Sequence, residues 1–442
     1  VFLPTLERLR RLRLDAKARA KQTQGAESAY WDGLQNSFKI LINCFDAATE
    51  VFTPDGFKPI SATQVGDLVY SIDPKTQQVS LKPVEAVYKQ PYEGKMVRLR
   101  SGSVDFLLTP NHRCLVRQRS GKLEWRYAYE LIGKSEVRLP ALSPLPAVET
   151  APEVFDLANW CERNSVPYEE VWVGGGVKIR YPCAGKVGSP HKAHPRYYAI
   201  EDFLQLMGWY ISEGVLHSSQ RRVYPSGHVR GVCYRVSLTQ KRAQGREALK
   251  RLLERMGIEY SEDGNGFHFC SRLWYEFFLR ECGSGSREKR IPRWVFRWEA
   301  ERLRCLYDAL MAGDGDTRAT GKRFSTASPR LREDFLRLCA HLGIRSTDRG
   351  YDGCYRIGVC TKGIAPRLHA RHISWEDYKG EIYCLTVADN HTVLAGRNKI
   401  LNWTGQSYYG YLGAPFHFND YDAAEQVTLT GQELVKQIAA EI

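Results

Sequence analysis

One unit of sequence occurs twice in this chain. The apolar run Phe203-Leu-Gln-Leu-Met-Gly-Trp-Tyr-Ile-Ser-Glu213-Gly214 returns as Cys305-Leu-Tyr-Asp-Ala-Leu-Met-Ala-Gly-Asp314-Gly315, each closing on an acid and a glycine. A strand follows each copy, Tyr234-Arg-Val-Ser-Leu and Arg323-Phe-Ser-Thr-Ala, and then an amphipathic helix, Arg246 to Met256 and Arg330 to Leu342. Gly257 and Gly343 stand where a helix ends in the left-handed conformation. A supersecondary unit repeated in this way predicts a domain with pseudo-two-fold symmetry.

The repeat fills only the middle of 442 residues, a length that suggests about three domains. Leu6, Leu9, Leu12 and Leu14 lie among basic residues continuing to Lys21, which predicts a basic helix; Gln22-Thr-Gln-Gly25 breaks it, and a second helix is expected over 28–42. After Cys44 the texture becomes that of an all-β domain: Leu68-Val-Tyr-Ser-Ile, Val84-Glu-Ala-Val-Tyr, Met96-Val-Arg-Leu-Arg and Phe106-Leu-Leu, punctuated by Pro54-Asp-Gly56 and Ser101-Gly102. That pattern fades near Pro140, and the Pro- and Ala-rich stretch to Pro152 reads as a linker. Short strands return at Tyr383-Cys-Leu-Thr-Val and His391-Thr-Val-Leu-Ala.

No apolar run approaches the roughly 18 residues of a membrane span, and nothing resembles a signal peptide, so a cytoplasmic protein with no membrane partner is expected. The twelve cysteines contain no C-x-x-C pair, and most read as reduced core thiols. A net charge of +13 fits a polyanionic partner, and Arg221, Arg222, Arg230, Arg235, Lys241, Arg242, Lys322 and Arg323 concentrate charge in the middle third. Nucleic acid is the natural candidate.

The two ends of the chain belong together. Lys39-Ile-Leu-Ile-Asn43 followed directly by Ser407-Tyr-Tyr-Gly410 reads K-x-x-x-N-S-x-Y-G, which resembles the fingers helix of family B DNA polymerases. Between them lie 363 residues (406 − 44 + 1), opening on Cys44 and followed by Ser407, so the chain resembles an unspliced intein precursor. The resemblance implies that Lys39 contacts the nucleotide triphosphate and Tyr409 lies beneath the nascent base pair. Neither palm carboxylate motif is visible, so the remainder of the host polymerase is an expected partner.

For the insert, the resemblance implies a sequence of acyl transfers. Cys44 captures the Asn43 carbonyl as a thioester. Thr109-Pro-Asn-His112 matches the T-x-x-H element, in which Thr109 orients the first peptide bond and His112 protonates its departing nitrogen. Ser407 takes the acyl group. His391 assists the last step, and Cys384 falls where many inteins carry aspartate. Inteins usually end His-Asn, whose amide closes a succinimide; here Gly405-Gln406 stands instead, and Gln406 would close a six-membered glutarimide more slowly. No cofactor is expected for splicing.

The repeated unit resembles the paired helices of LAGLIDADG homing endonucleases. Gly208 and Ala309 each stand five residues before the acid (213 − 208 and 314 − 309) and would let the helices pack closely on the pseudo-two-fold axis. Glu213 and Asp314 would then meet at its base to bind Mg²⁺ for cleavage of double-stranded DNA. Lys322 is a candidate for transition-state charge stabilisation, and a pseudo-symmetric monomer is expected. The fold class is therefore multidomain: residues 1–43 and 407–442 are α-helical fingers segments, 44–145 and 373–406 form an all-β Hint splicing domain, and 146–372 form an inserted α/β two-repeat endonuclease. Two other readings fit part of the pattern. A hedgehog-type autoprocessing domain also begins with cysteine and uses T-x-x-H but needs no Ser407; alternatively, the insert binds DNA without cutting it.

Overall fold

A computed structural model describes residues 15–31 except 17, 26 and 29, and residues 43–406 except 175, 183–191, 220–221, 224–228, 231, 319–320, 350–352 and 361–364. Lys39, Arg221, Ser407 and Tyr409 lie outside the described residues. Residues 15–16, 18–22, 27–28 and 30–31 are helical, and residues 32–42, where most of the second N-terminal helix is expected, lie outside the described residues. Among the described residues no helix is long and apolar enough to cross a membrane.

The chain divides into two compact units, Val1–Ser143 with Gly363–Ile442, and Pro144–Lys362. In the first unit the described residues form strands from both sides of the interruption. Strand Phe45–Asp46 lies between Ile373–Val387 and Asp105–Leu108, with Phe45 opposite both Tyr383 and Leu108. A second sheet runs in the order Asn402–Gly405, Thr392–Gly396, Glu50–Thr53, Gly56–Pro59. N- and C-terminal strands of the two sheets share one core that includes Phe45, Val51, Val69, Val97, Phe106, Leu385 and Val393. Burying these side chains requires the two chain segments to fold together, which brings Cys44 and Gln406 into one site.

The two short strands expected at 84–88 and 96–100 are one strand, Val79–Arg100, paired with Ile373–Val387 from Val84 to Leu99. The intervening Pro91 and Gly94 read as breakers. Between 84 and 96, however, the strand is hydrogen-bonded on one side only, and an edge tolerates a missing N–H. The cross-strand pairs Lys89–Glu381, Lys95–Asp377 and Lys379–Glu93 line this ribbon. Strand Arg367–His369 pairs with Glu136–Arg138. Residues 365–372, assigned to the endonuclease from sequence, therefore fall in the β unit.

The second unit carries the repeat. Helix Ile200–Glu213 leads into a sheet ordered Gly214–Ser218, Tyr234–Thr239, Gly266–Cys270, Ser261–Glu262; helix Ala300–Gly313 leads into one ordered Gly315–Arg318, Gly321–Thr326, Tyr355–Cys360, Arg345–Arg349. The strand order is the same in both. Helices Ala243–Arg255 and Pro329–His341 occupy corresponding places, and the glycines after them have φ of 62° and 66°. A Cβ on Gly208 would stand 2.6 Å from Cβ of Ala309 and 2.9 Å from the Leu306 carbonyl. Glycine at 208 is thus the condition for the two acidic helices to touch.

Candidate functional site

In the β unit, Cys44 is 1% exposed and its backbone is bracketed by Thr109. The Cys44 N–H donates to Thr109 Oγ1 at 2.9 Å, the Thr109 N–H donates to the Cys44 carbonyl at 3.1 Å, and the Thr109 hydroxyl reaches the same carbonyl at 3.3 Å. Asn43 is buried and its Oδ1 accepts from the Arg113 N–H at 2.7 Å, so the residue before the first junction is also fixed. The thiol of Cys44 contacts that of Cys384; this contact, together with burial, holds Cys44 well above the usual thiol range. Cys384 lies on the ribbon strand in an apolar cluster with Met96, Leu107 and Ile382. A thiol suits that setting at low desolvation cost; an aspartate would have to bury a charge.

His112 is the hinge of the arrangement. Burial pushes its imidazole down to about 3, so it is neutral at rest, and its ring faces the backbone of both Cys44 and Gly405. Nε2 lies 3.0 Å from Thr404 Oγ1, and Phe45 meets the ring edge-on at 4.6 Å. One imidazole therefore touches both boundaries of the insert.

At the other boundary Gln406 is fully buried. Its N–H donates to the His391 carbonyl at 3.1 Å, and Nε2 donates to the Val387 carbonyl at 3.1 Å and lies 3.5 Å from His391 Nδ1. His391 Nδ1 is also 3.2 Å from the Val387 carbonyl, so the tautomer decides whether it donates there or faces the glutamine amide as an acceptor. Asp389 and His391 adopt positive φ, 61° and 52°, in the turn that aims the imidazole. A Cβ at Gly405 would lie 2.3 Å from the Arg113 carbonyl and 2.5 Å from the Trp125 ring. The place a penultimate side chain would need is thus occupied, which accounts for glycine there. A cavity of about 780 Å³ adjoins this end, lined in part by Asp73, Lys75, Arg113, Trp125, Asp389 and His391.

In the repeat unit, Glu213 and Asp314 end their helices side by side; a Cβ on Gly313 would lie 2.2 Å from Ser212 Oγ and 3.1 Å from Glu213 Cγ. Burial raises Glu213, opposed by Arg242. Asp314 is pushed up to about 7, first by burial and then by the charge of Glu213, with Lys289 and Arg242 opposing. Two half-buried to buried carboxyls, one raised by the charge of the other, are short of positive charge. Among the described residues no group of three or more His, Cys, Asp or Glu could enclose a metal. The pair instead fits a hard divalent cation whose other oxygens come from water and phosphate.

Sequence reasoning missed three residues here. Lys289 is buried, donates from Nζ to the Tyr210 carbonyl at 2.7 Å, and is pushed down to about 7 by burial while Asp314 opposes. Its signal, the charged run Arg287-Glu-Lys-Arg-Ile-Pro292, reads as loop. Lys322, the candidate for transition-state charge stabilisation, is exposed, and its charge reaches Asp308; the charge of Lys289 reaches Asp314. Gln240, 3% exposed, places Nε2 3.5 Å from Glu213 Oε1, and Thr404 holds His112 in the β unit.

No protein-family profile matches the chain. A DNA polymerase of Thermococcus litoralis is 25% identical over 308 residues, 55% of this chain and 18% of that protein. The ATP-dependent Clp protease proteolytic subunit of Chlamydomonas moewusii is 24% identical over 312 residues, 69% of this chain and 28% of that protein. The chain thus spans less than a third of either of these curated relatives. Among solved structures, that of I-DmoI in complex with DNA and Mn is 18% identical with a TM-score of 0.27, covering 36% of this chain and 90% of that one. A bacterial intein-like domain from Clostridium thermocellum is 23% identical with a TM-score of 0.20, covering 22% of this chain and 67% of that one.

Proposed function

We propose that this chain, a DNA-polymerase-like sequence interrupted by an intein with a homing-endonuclease domain, excises residues 44–406 and joins Asn43 to Ser407. The observation that carries the reading is His112, whose ring faces Cys44 and Gly405 together. A residue serving one cleavage has no need of the other boundary. A splicing centre needs both.

The steps follow from the contacts. Thr109 holds the Asn43–Cys44 peptide by the Cys44 N–H, and the neutral His112 is in the form that accepts a proton. The Cys44 thiol, protonated at rest, gives up its proton and attacks the Asn43 carbonyl; the C–N bond breaks and the departing nitrogen gains a proton. Ser407 Oγ then attacks the thioester, returning the thiol to Cys44. Finally Gln406 Nε2 attacks its own backbone carbonyl to close the glutarimide, with His391 Nδ1 on hand at 3.5 Å to take the amide proton. The freed Ser407 amine displaces its own ester to give the peptide bond. Nothing in this sequence consumes a cofactor.

That comparable identity links the chain to a DNA polymerase and to a protease subunit supports the same reading. A stretch shared with two proteins of such different names is what a mobile insertion would leave. For the repeat unit we assign site-specific cleavage of double-stranded DNA. Glu213 and Asp314 would hold Mg²⁺, which when bound activates water and stabilises the leaving oxygen. Lys289 places a buried ammonium beside Asp314, and Arg235 stands on the exposed sheet face that would meet phosphate.

The test is intact mass of residues 1–442 followed over time. A ligated product with a free 44–406 fragment is the expected outcome. Release of the N-terminal segment without ligation would instead support the autoprocessing alternative. Cleavage of a duplex encoding the Asn43–Ser407 join, lost in Glu213→Ala and Asp314→Ala while binding persists, tests the second activity against a non-cutting insert.

A further inference from the structure

Two cysteines outside both sites stand thiol to thiol. Sγ of Cys233 lies 3.2 Å from Sγ of Cys270, the first half-exposed and the second exposed. Their closeness is set by strand register. Arg235 pairs with Cys270, and Cys233, two residues earlier, falls on the same side of the sheet as a diagonal neighbour. That side is the outward one: Val236, Leu238, Phe267 and Phe269 point into the core, whereas Arg235 and His217, which pair with each other, are exposed.

The position of Cys233 gives the pair a consequence. Its carbonyl accepts from the Ser219 N–H at 3.1 Å and its N–H donates to Ser219 Oγ at 3.0 Å, closing the base of a segment whose strands Arg222–Val223 and Val229–Arg230 pair with each other. Cys233 therefore closes the base of this segment, whose sequence carries Arg221, Arg222 and Arg230, and Cys270 belongs to strand Gly266–Cys270.

We propose that Cys233 and Cys270 are a dithiol–disulfide pair that exchanges with a low-molecular-weight disulfide such as oxidised glutathione and, when closed, tethers Cys233 to strand Gly266–Cys270. The exposed Cys270 thiolate attacks one glutathione sulfur, breaking that S–S bond and releasing one glutathione. Cys233 then attacks Cys270 Sγ and releases the second. Two protons and two electrons leave the protein, and one glutathione disulfide becomes two glutathiones. Partial burial of its sulfur and the contact with Cys233 hold the Cys270 thiol up at about 11 while Lys192 and Arg235 pull it down, so exchange accelerates as pH rises. The bond stands on the geometry alone; its effect on DNA rests on the endonuclease reading.

The experiment uses the full chain with Cys44→Ala, equilibrated in reduced and oxidised glutathione, quenched in acid, alkylated and mapped by peptide mass. Cys233 and Cys270 should lose reactivity together as one cross-linked peptide, 2 Da lighter than the dithiol and restored by dithiothreitol, and Cys233→Ser should prevent the cross-link. Both thiols remaining alkylatable under excess oxidised glutathione, or each carrying its own glutathione adduct, would overturn the proposal. Release from a non-specific DNA duplex, measured at one salt concentration, should slow several-fold in the oxidised chain because the exposed Arg235 and His217 beside the cross-link have less freedom to lose on binding. Equal release in both states refutes the tether. Failure of either state to bind DNA refutes the endonuclease reading and leaves the cross-link to be decided by mass.

Discussion

Replacing Asp314 with asparagine should stabilise the repeat unit, and the gain should depend on pH. The folded carboxyl titrates near 7 against an ordinary 3.8. A group raised in this way stabilises the fold fully below the unfolded value, and that contribution is lost as pH rises through about 7. The difference of 3.2 units (7 − 3.8) corresponds to about 4 kcal/mol of folding free energy withheld once the carboxyl is forced to ionise. Lys289 and Glu213 readjust when the charge is removed, so we expect about half of this, ~2 kcal/mol, to be recovered in the variant at pH 8. For a unit of 219 residues (362 − 144 + 1) that is a rise in Tm of roughly 4–8 °C. At pH 5, where the wild-type carboxyl is mostly protonated, the gain should shrink by more than half. Thermal unfolding of Cys44→Ala and Cys44→Ala/Asp314→Asn chains at both pH values measures it. Mg²⁺ should raise the wild-type midpoint at pH 8 and leave the variant nearly unmoved. A variant destabilised at pH 8, or an equal shift at the two pH values, would refute the account of Asp314 as a strained, cation-seeking carboxylate.

Three changes separate the steps of splicing. Thr109→Val removes the hydroxyl that contacts both backbone groups of Cys44 and should slow thiol-induced N-terminal cleavage by about 10²–10³-fold, the scale of losing a preorganised donor, as followed by mass. His391→Ala should leave thioester formation intact and slow release at Gln406 by about 10²–10⁴-fold; equal slowing of both ends would show that His391 supports the fold rather than the last step. Gly405→Ala should slow splicing, because the added carbon meets the Arg113 carbonyl and Trp125; the strain of about 1–3 kcal/mol predicts a loss of roughly 5- to 150-fold, and an unaffected rate would mean that the strand yields there.

What could be read from the sequence followed physical period. The repeated helices, their acids and the strand and helix after each were legible because apolar spacing and acid–glycine ends survive in a linear string, and the close approach at Gly208 followed from residue size alone. Thr404, Gln240 and Lys289 were not legible. Each acts through a contact made by tertiary packing: Thr404 with His112 across 292 positions, Gln240 with Glu213 across 27, Lys289 with the Tyr210 carbonyl across 79. The long ribbon was hidden by Pro91 and Gly94, which break a central strand but not a one-sided one. Gly405 looked like a missing catalytic residue, and only the positions of Arg113 and Trp125 show why it is glycine.

The pairing of Glu136–Arg138 with Arg367–His369 has a consequence for how such an insertion is tolerated. Holding those strands together leaves 228 residues (366 − 139 + 1) to be accommodated as a loop. Were they a random coil, closure would cost about 5 kcal/mol from the length-dependent term alone, enough to undermine a β unit that must assemble its centre from both sides. A folded insert pays this cost from its own core. Damage that unfolds the repeat should therefore weaken pairing of the β ribbon without touching any residue of it, whereas clean deletion between the paired strands should spare it. Loss of the inserted unit by deletion is then gentler on splicing than its decay in place.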